Sequence, residues 1–320
     1  MPILVTGGAG FVGSHLTEML VQRLDEPVVC VDNFNSYYDP RLKRANAAAI
    51  GKLPRVTVVE GDFCDLEFNR RVLREHQIDR IVHLGAYAGV RYSVENPFIY
   101  EKTNVGGTLS LLEAARGQAI QRFLLASSST VYGMGAGVPF REDAPLGVPA
   151  SPYGSSKRAA ELMGLTYHQL HGLPVVCLRP FSVYGPRLRP DLAMTIFVKA
   201  IVNQESFPLY GDGSIRRDFT HVRDICEGLF AALFREGVAG ECLNLGHSEP
   251  VEMRRLIDML AESLGKSPCI ERRPQRPEDL PITCADLTKA RDLLGYQPAV
   301  PLEEGVREFC DWYRQWHQVS

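Results

Sequence analysis

Tyr153 and Lys157 stand four residues apart in the segment SPYGSSK, near the start of a stretch, 152–171, with the spacing of an amphipathic helix. At that spacing both side chains leave one helical face a single turn apart. A phenol with a pKa of about 10 is a poor base at neutral pH, and an adjacent ammonium stabilises the phenolate and brings it into a usable range. Ser128 follows the strand-like run 123–127, at the carboxyl end of which an open parallel sheet collects its ligands. A packed tyrosine beside a solvated lysine is the other reading of the pair.

Gly7, Gly10 and Gly13 follow the strand-like segment 3–6, and Phe11 and Val12 open a helical stretch, 11–23. Glycines where a strand turns tightly into a helix N-terminus suit a pyrophosphate. One makes the turn, one lets backbone approach the phosphates, one lets helix and strand pack closely, and the helix dipole favours the anion. The spacing is GxxGxxG. Asp32, followed by Asn33, ends the segment 28–32, where a carboxylate accepts both ribose hydroxyls of an adenosine and repels a 2′-phosphate. This points to NAD over NADP, with Arg41, Lys43 and Arg44 close behind as the opposing signal. A Gly turn and a solvated Asp cap is the reading without a nucleotide.

The elements that must carry these groups alternate. Strand-like runs at 3–6, 28–32, 56–60, 80–84, 123–127 and 175–179 are separated by helix-like stretches such as 11–23, 66–76, 97–116 and 152–171. That rhythm predicts an α/β fold, a Rossmann-like doubly wound parallel sheet with a smaller C-terminal substrate-binding region. After Pro180 the chain turns to Pro- and Gly-punctuated loops, a helix near 192–204, basic segments ending at Arg217 and Arg276, and helices at 252–264 and 287–294, the last stopping at Gly295. The division expected is a dinucleotide-binding domain over 1–180, with a returning segment near 218–247, and a substrate-binding region over 181–217 and 248–320.

Composition narrows the partners. Thirty-five basic against thirty-eight acidic residues in 320 give a net charge of −3, which offers no electrostatic case for nucleic acid or an anionic membrane as the main partner. No apolar run approaches the roughly 18 residues a membrane span needs, and the chain enters a strand-like segment straight after Met1, so a cytoplasmic location is expected. The eight cysteines are scattered without a CxxC pair or zinc-like spacing, so they are expected to be reduced and no metal site is expected.

Taken together, TGGAGFVGSHL at the start, VDNF at 31–34, GD at 61–62, ASSSTVYG at 126–133, SPYGSSK at 151–157, LRPFSVYGP at 178–186 and RRDFTHVRD at 216–224 resemble the extended short-chain dehydrogenase/reductase family, and its nucleotide-sugar epimerases in particular, over nearly the whole chain. The resemblance implies a catalytic triad of Ser128, Tyr153 and Lys157, with Asp62, Asn104 and Pro180 lining the cofactor beside the glycine turn and Asp32. After the fourth strand the family has LAA, and this chain has Leu84, Gly85 and Ala86, where the backbone contact to the cofactor should survive. The implied reaction is transient oxidation of a UDP-sugar at C4 by bound NAD, with Tyr153 as base, rotation of the 4-keto sugar, and return of the hydride to the other face.

Sugar-nucleotide dehydratases place an Asp and Glu pair directly after the catalytic serine, and related decarboxylases place a Glu at the second of those positions. Here they are Ser129 and Thr130, so epimerisation is the expected outcome. By the same resemblance Arg217 and Arg276 clamp the diphosphate, Asp279 holds the uridine ribose and Tyr210 lies at the uracil. NSYYDPRLKR at 35–44, AGVRYS at 88–93 and GPRLRPD at 185–191 most resemble the UDP-glucuronate 4-epimerase group. That implies Arg189 beside the sugar, Thr130 and its neighbours Ser128 and Ser129 on the C5 carboxylate, Arg91 as a further contact, and Ser182 as a small hydroxyl leaving room. A neutral UDP-sugar is the alternative substrate; a non-catalytic NAD sensor, a decarboxylase or a dehydratase are further alternatives. A homodimer through helices 97–116 and 152–171 is implied as well.

Overall fold

The computed structural model describes residues 1–275 and 280–319. Its centre is a seven-stranded sheet made of β1 (Ile3–Thr6), β2 (Val28–Asp32), β3 (Val56–Glu60), β4 (Arg80–His83), β5 (Arg122–Ala126), β6 (Val175–Pro180) and the strand Cys242–Leu245. The spatial order is Cys242–Leu245, β6, β5, β4, β1, β2, β3, and every pairing is parallel. The order reverses between β1 and β4, so their carboxyl ends open the crevice where such sheets bind ligands.

β-branched and aliphatic runs form the inner strands because both faces are covered, while β3 at the edge is only partly buried. Ile3 and Val5 of β1 join the core under α1 (Phe11–Arg23) and the helix Val222–Phe234, while Leu4 joins the core under Leu66–Glu75, Thr108–Ala115 and Pro152–His171. Alternate residues of one strand thereby supply opposite layers. Burying each such side chain is worth roughly 1.5–3 kcal/mol.

The stretch 97–116 is not one α-helix. Pro97–Tyr100 leads into a π-helical turn, Glu101–Gly107, before the α-helix Thr108–Ala115. The wider turn brings Asn104 against the loop after β4, and Gly107 lies so close to Phe63 that a Cβ would come within 2.5 Å of the ring. A helix at Pro40–Ile50 was not expected from the periodicity, although Asp39, whose side chain accepts from the Arg41 N–H, and Pro40 are a local start signal. Beyond β6 two small sheets carry the remaining site loops. One holds Pro250–Glu252, Arg216–His221 and Ser182–Tyr184, and the other holds Cys269–Arg273 and Ser206–Tyr210. All eight cysteines are free thiols. Among the described residues no helix is long and apolar enough to cross a membrane, and no His, Cys, Asp or Glu cluster could hold a metal.

Candidate active site

The first turn after β1 is fastened from both sides. The Gly7 and Gly8 N–H groups donate to the Val31 carbonyl at 2.8 and 3.2 Å, and Gly7 takes φ +68°, which a side chain would strain. A Cβ on Gly7 would sit 2.9 Å from the Gly85 backbone, and one on Gly13 would collide with the Gly7 carbonyl. Helix α1 therefore starts directly over the strand. Its N-cap is Gly10, with no side-chain cap and no acidic residue in the first turn, so the N–H groups of Phe11, Val12 and Gly13 and the positive helix end are left to an anion.

Asp32 is 8% exposed at the end of β2 and accepts the Phe34 N–H at 2.9 Å. Burial raises its pKa, against the Phe34 N–H and the Lys43 charge. The three cations behind it are already engaged. Arg41 pairs with Asp39, Lys43 donates to the Asn35 carbonyl at 3.0 Å, and Arg44 pairs with Glu60 at 2.7 Å while lying over the Phe34 ring. None stands unengaged where a 2′-phosphate would need it. The Asn33 side chain accepts from the Asn35 N–H at 3.2 Å, shaping the same loop.

A directed hydrogen-bond chain sets the strap after β4. Thr108 donates to the Asn104 carbonyl at 2.6 Å, so its oxygen accepts from His83 Nε2 at 3.0 Å; His83 Nδ1 then accepts from Thr6 Oγ1 at 2.6 Å, and Thr6 accepts from the Gly85 N–H at 3.2 Å. This requires one neutral tautomer, and burial lowers the His83 pKa to about 3. The Asn104 amide accepts from the Tyr87 N–H and donates to the Tyr87 carbonyl, both at 2.8 Å, and donates to Ser156 at 3.0 Å. The Asn104 amide thereby ties down Tyr87 at the end of the segment Leu84, Gly85, Ala86 and Tyr87. Gly85 replaces the family alanine because Phe63 stands 2.5 Å from where the methyl would go. Asp62 is exposed and accepts the Cys64 N–H at 2.9 Å, and Pro180 ends β6 half-buried.

Ser128 follows β5 and caps the short helical turn Ser129–Tyr132, accepting from the Thr130 N–H at 3.2 Å. Ser151 caps Pro152–His171 through the Gly154 N–H at 3.2 Å, which sets Tyr153 and Lys157 in its first two turns. The Lys157 ammonium, 6% exposed, donates to the Ala126 carbonyl at 2.8 Å, and burial lowers its pKa to about 8 despite Glu161. Burial raises the Tyr153 pKa; the Ser128 hydroxyl and the Arg189 charge pull it down. The one hydrogen bond of the Lys157 ammonium among the described residues goes to the strand end, while the Ser128 hydroxyl and the Arg189 charge are the groups that lower the Tyr153 pKa.

Across the cleft, Arg189 makes two bonds to Asp191, at 3.0 and 2.9 Å, over the Tyr37 ring. The Tyr37 hydroxyl lies against both the Ala88 carbonyl and the Asp191 carboxylate, with one hydrogen to give, and Tyr100 packs edge-on against Tyr153 with ring centroids 6.0 Å apart. Tyr37, Tyr100 and Asp191 escaped the site reading of the sequence, although Tyr37 and Asp191 lie within two of its motifs. Arg91 lies 5.2 Å over the Tyr210 ring, so two residues from different parts of the chain meet at the mouth of the cleft. Arg217 donates to the Leu280 carbonyl at 2.7 Å, and Ser182 opens its strand half-buried. Arg276 and Asp279 lie outside the described residues.

The sheet order, with Ser128, Tyr153 and Lys157 beside the end of β5, is that of the class to which the chain belongs, the extended short-chain dehydrogenase/reductases. More narrowly, the chain belongs to the GDP-mannose 4,6 dehydratase family, whose sequence pattern matches residues 4–309. It is 36% identical over 313 residues to a UDP-glucuronate 4-epimerase of Thermodesulfobacterium geofontis, covering 98% of this chain and 96% of that one. A crystal structure of UDP-glucuronic acid 4-epimerase from Bacillus cereus, in complex with UDP-glucuronic acid and NAD, superposes with a TM-score of 0.93 at 35% identity, covering 99% of this chain and 100% of the other. A dTDP-glucose 4,6-dehydratase from Streptomyces venezuelae with NAD bound reaches 0.91 at 33% identity, covering 98% and 97%. The backbone alone does not separate the two reactions.

Proposed function

We propose that the chain is an NAD-dependent UDP-sugar 4-epimerase that interconverts UDP-glucuronate and UDP-galacturonate. The observation that carries this is the pair Ser129 and Thr130 beside Ser128, with no carboxylate at either position. Eliminating water from a 4-keto sugar needs a positioned acid and base, and this site has neither there. The similar epimerases supply the substrate class.

The uncapped N-terminus of α1, the Gly7 and Gly85 backbones and Asp32 fit NAD, which when bound supplies the hydride acceptor and donor at C4. Tyr153 takes the C4 hydroxyl proton as the carbon is oxidised and returns it after the sugar has turned over. Ser128 hydrogen-bonds the same oxygen. Lys157, buried and cationic below about pH 8, adds positive charge beneath the site. Arg91, Ser129, Thr130, Ser182 and Arg189 surround the sugar, and Tyr210 and Arg217 face the nucleotide. A 4-keto uronate is a β-keto acid that loses carbon dioxide readily, so the site must keep the carboxylate in the ring plane or return hydride quickly.

One observation favours a neutral UDP-sugar as the second reading: the Arg189 charge is already matched by Asp191. Incubating the protein separately with UDP-glucuronate, UDP-glucose and UDP-N-acetylglucosamine, without added NADH, and following each by proton NMR decides the matter. The galacto isomer should appear from UDP-glucuronate. Turnover of a neutral sugar alone would move the assignment to that sugar, and a pentose product would make the protein a decarboxylase.

The same reading takes 1–180 with 218–247 as the NAD-binding domain, supported by the pairing of Cys242–Leu245 with β6, and 181–217 with 248–320 as the sugar-nucleotide region. It includes a homodimer. Phe98 is 86% exposed, Leu162 59% and Leu170 69%, on the two helical segments expected to pair with their symmetry mates. A cytoplasmic location accords with the free thiols.

A further inference from the structure

Ser128 carries more hydrogen-bond traffic than its role as a substrate contact requires. Its Oγ accepts from the Thr130 backbone N–H at 3.2 Å and from the Thr130 hydroxyl at 3.0 Å. A serine hydroxyl has two lone pairs and one hydrogen. Both lone pairs are occupied, so Ser128 retains only its hydrogen to give, and Tyr153, whose pKa it pulls down, is the titratable group it bears on. The short helical turn that starts at Ser129 enforces the pattern, since it places the backbone and side chain of Thr130 together over the capping oxygen.

We propose that Thr130 is a positioning residue that fixes the Ser128 hydroxyl as a hydrogen-bond donor, its one hydrogen directed at the Tyr153 phenolate before the sugar binds and at the C4 oxygen of the sugar afterwards. The assignment rests on the epimerase reading and deepens it. A donor-only serine stabilises Tyr153 as the anion more than as the neutral phenol, whose oxygen is a weaker acceptor and whose own hydrogen it cannot take. Thr130 also spends its only hydroxyl hydrogen on Ser128. It has none left for a uronate carboxylate, which only accepts. That duty passes to Ser129, whose half-buried hydroxyl has no partner among the described residues.

Other groups facing Tyr153 are unchanged by a substitution at Thr130. They are the Arg189 and Asp191 pair across the cleft, Tyr100 edge-on to the ring, and Lys157 with Glu161 on its own helix. Removing the Thr130 hydroxyl as Thr130→Val keeps the volume and frees one lone pair on Ser128, which then accepts from neutral Tyr153. The rising limb of the pH profile of kcat should move up by about one pH unit, a loss of roughly tenfold on that limb, with KM little changed. Thr130→Ser should restore both. In a Ser128→Ala background, Thr130→Val should move nothing further.

The same order should appear without substrate, in the absorbance of the tyrosinate as the NAD-loaded protein is titrated, with Tyr153→Phe as the baseline. If Thr130→Val leaves both titrations in place, or raises KM for UDP-glucuronate alone, or Thr130→Ser fails to rescue, the positioning role is overturned. Failure of the wild-type protein to epimerise any UDP-sugar would instead overturn the reading of function, and the substrate-free titration would still decide the role of Thr130.

Discussion

Replacing Lys157 by methionine should make the protein more stable while removing its activity. The ammonium is 6% exposed, and its one hydrogen-bond acceptor among the described residues is the Ala126 carbonyl at 2.8 Å, although it has three hydrogens to give. Burial brings its pKa from 10.5 to about 8, and that interval corresponds to a penalty of roughly 3 kcal/mol for holding the charge in the fold at pH 7. Methionine fills the same space without the charge but leaves the Ala126 carbonyl without this donor, at a cost of about 1–2 kcal/mol. A net gain of about 1–2 kcal/mol remains, which for a chain of this length raises Tm by roughly 2–3 °C.

The pH dependence has a definite sign. The folded protein holds this proton less tightly than the unfolded chain does, so unfolding takes up a proton between about pH 8 and 10.5, and wild-type stability rises with pH across that window. The advantage of Lys157→Met should be complete below pH 8, vanish within the window, and give way above 10.5 to a deficit of about 1–2 kcal/mol left by the lost hydrogen bond to Ala126. Thermal melts of both proteins, freed of nucleotide, at several pH values from 6.5 upward would show it. A variant less stable than wild type at pH 7, or a difference that does not change with pH, would refute the reasoning.

Arg179 and Glu161 form an ion pair with bonds of 2.8 and 2.9 Å and side chains 4% and 3% exposed. Arg179→Met alone should cost about 3–5 kcal/mol because it strands a buried carboxylate, whereas adding Glu161→Gln should recover part of that loss, as read by chemical denaturation. Gly85→Ala should weaken NAD binding and lower stability by about 1–3 kcal/mol, since its methyl meets Phe63, and Phe63→Leu should restore binding measured by fluorescence titration. Ser129→Ala should raise KM for UDP-glucuronate about tenfold and leave that for UDP-glucose unchanged, a comparison steady-state kinetics makes directly.

The first two strands were legible residue for residue because a parallel strand buried on both faces is an aliphatic run bounded by turn residues, and the partly buried edge strand β3 was legible from its β-branched Val-Thr-Val-Val run. The triad was legible for a related reason: a four-residue interval on a helix and a serine after a strand are local patterns. The helix Leu302–His317 and the sheet of Ser182–Tyr184, Arg216–His221 and Pro250–Glu252 were not legible, since that sheet joins segments far apart in the chain. The π-helical turn at Glu101–Gly107 was hidden as well, because its period differs little from that of an α-helix over seven residues while the contact it brings about, Asn104 to Tyr87, is with a distant segment.

At the site, residue types and intervals along the chain determined where the pyrophosphate turn, the ribose carboxylate and the tyrosine base lie. Only the tertiary structure decided what each charge and hydroxyl is committed to. Arg189 belongs to Asp191, Lys157 to the Ala126 carbonyl, Arg44 to Glu60, Asn104 to Tyr87, and Ser128 has its lone pairs filled by Thr130. The physical reason is that a hydrogen or a lone pair is used once. Which partner uses it is settled by distances of about 3 Å between groups that the chain brings together only on folding.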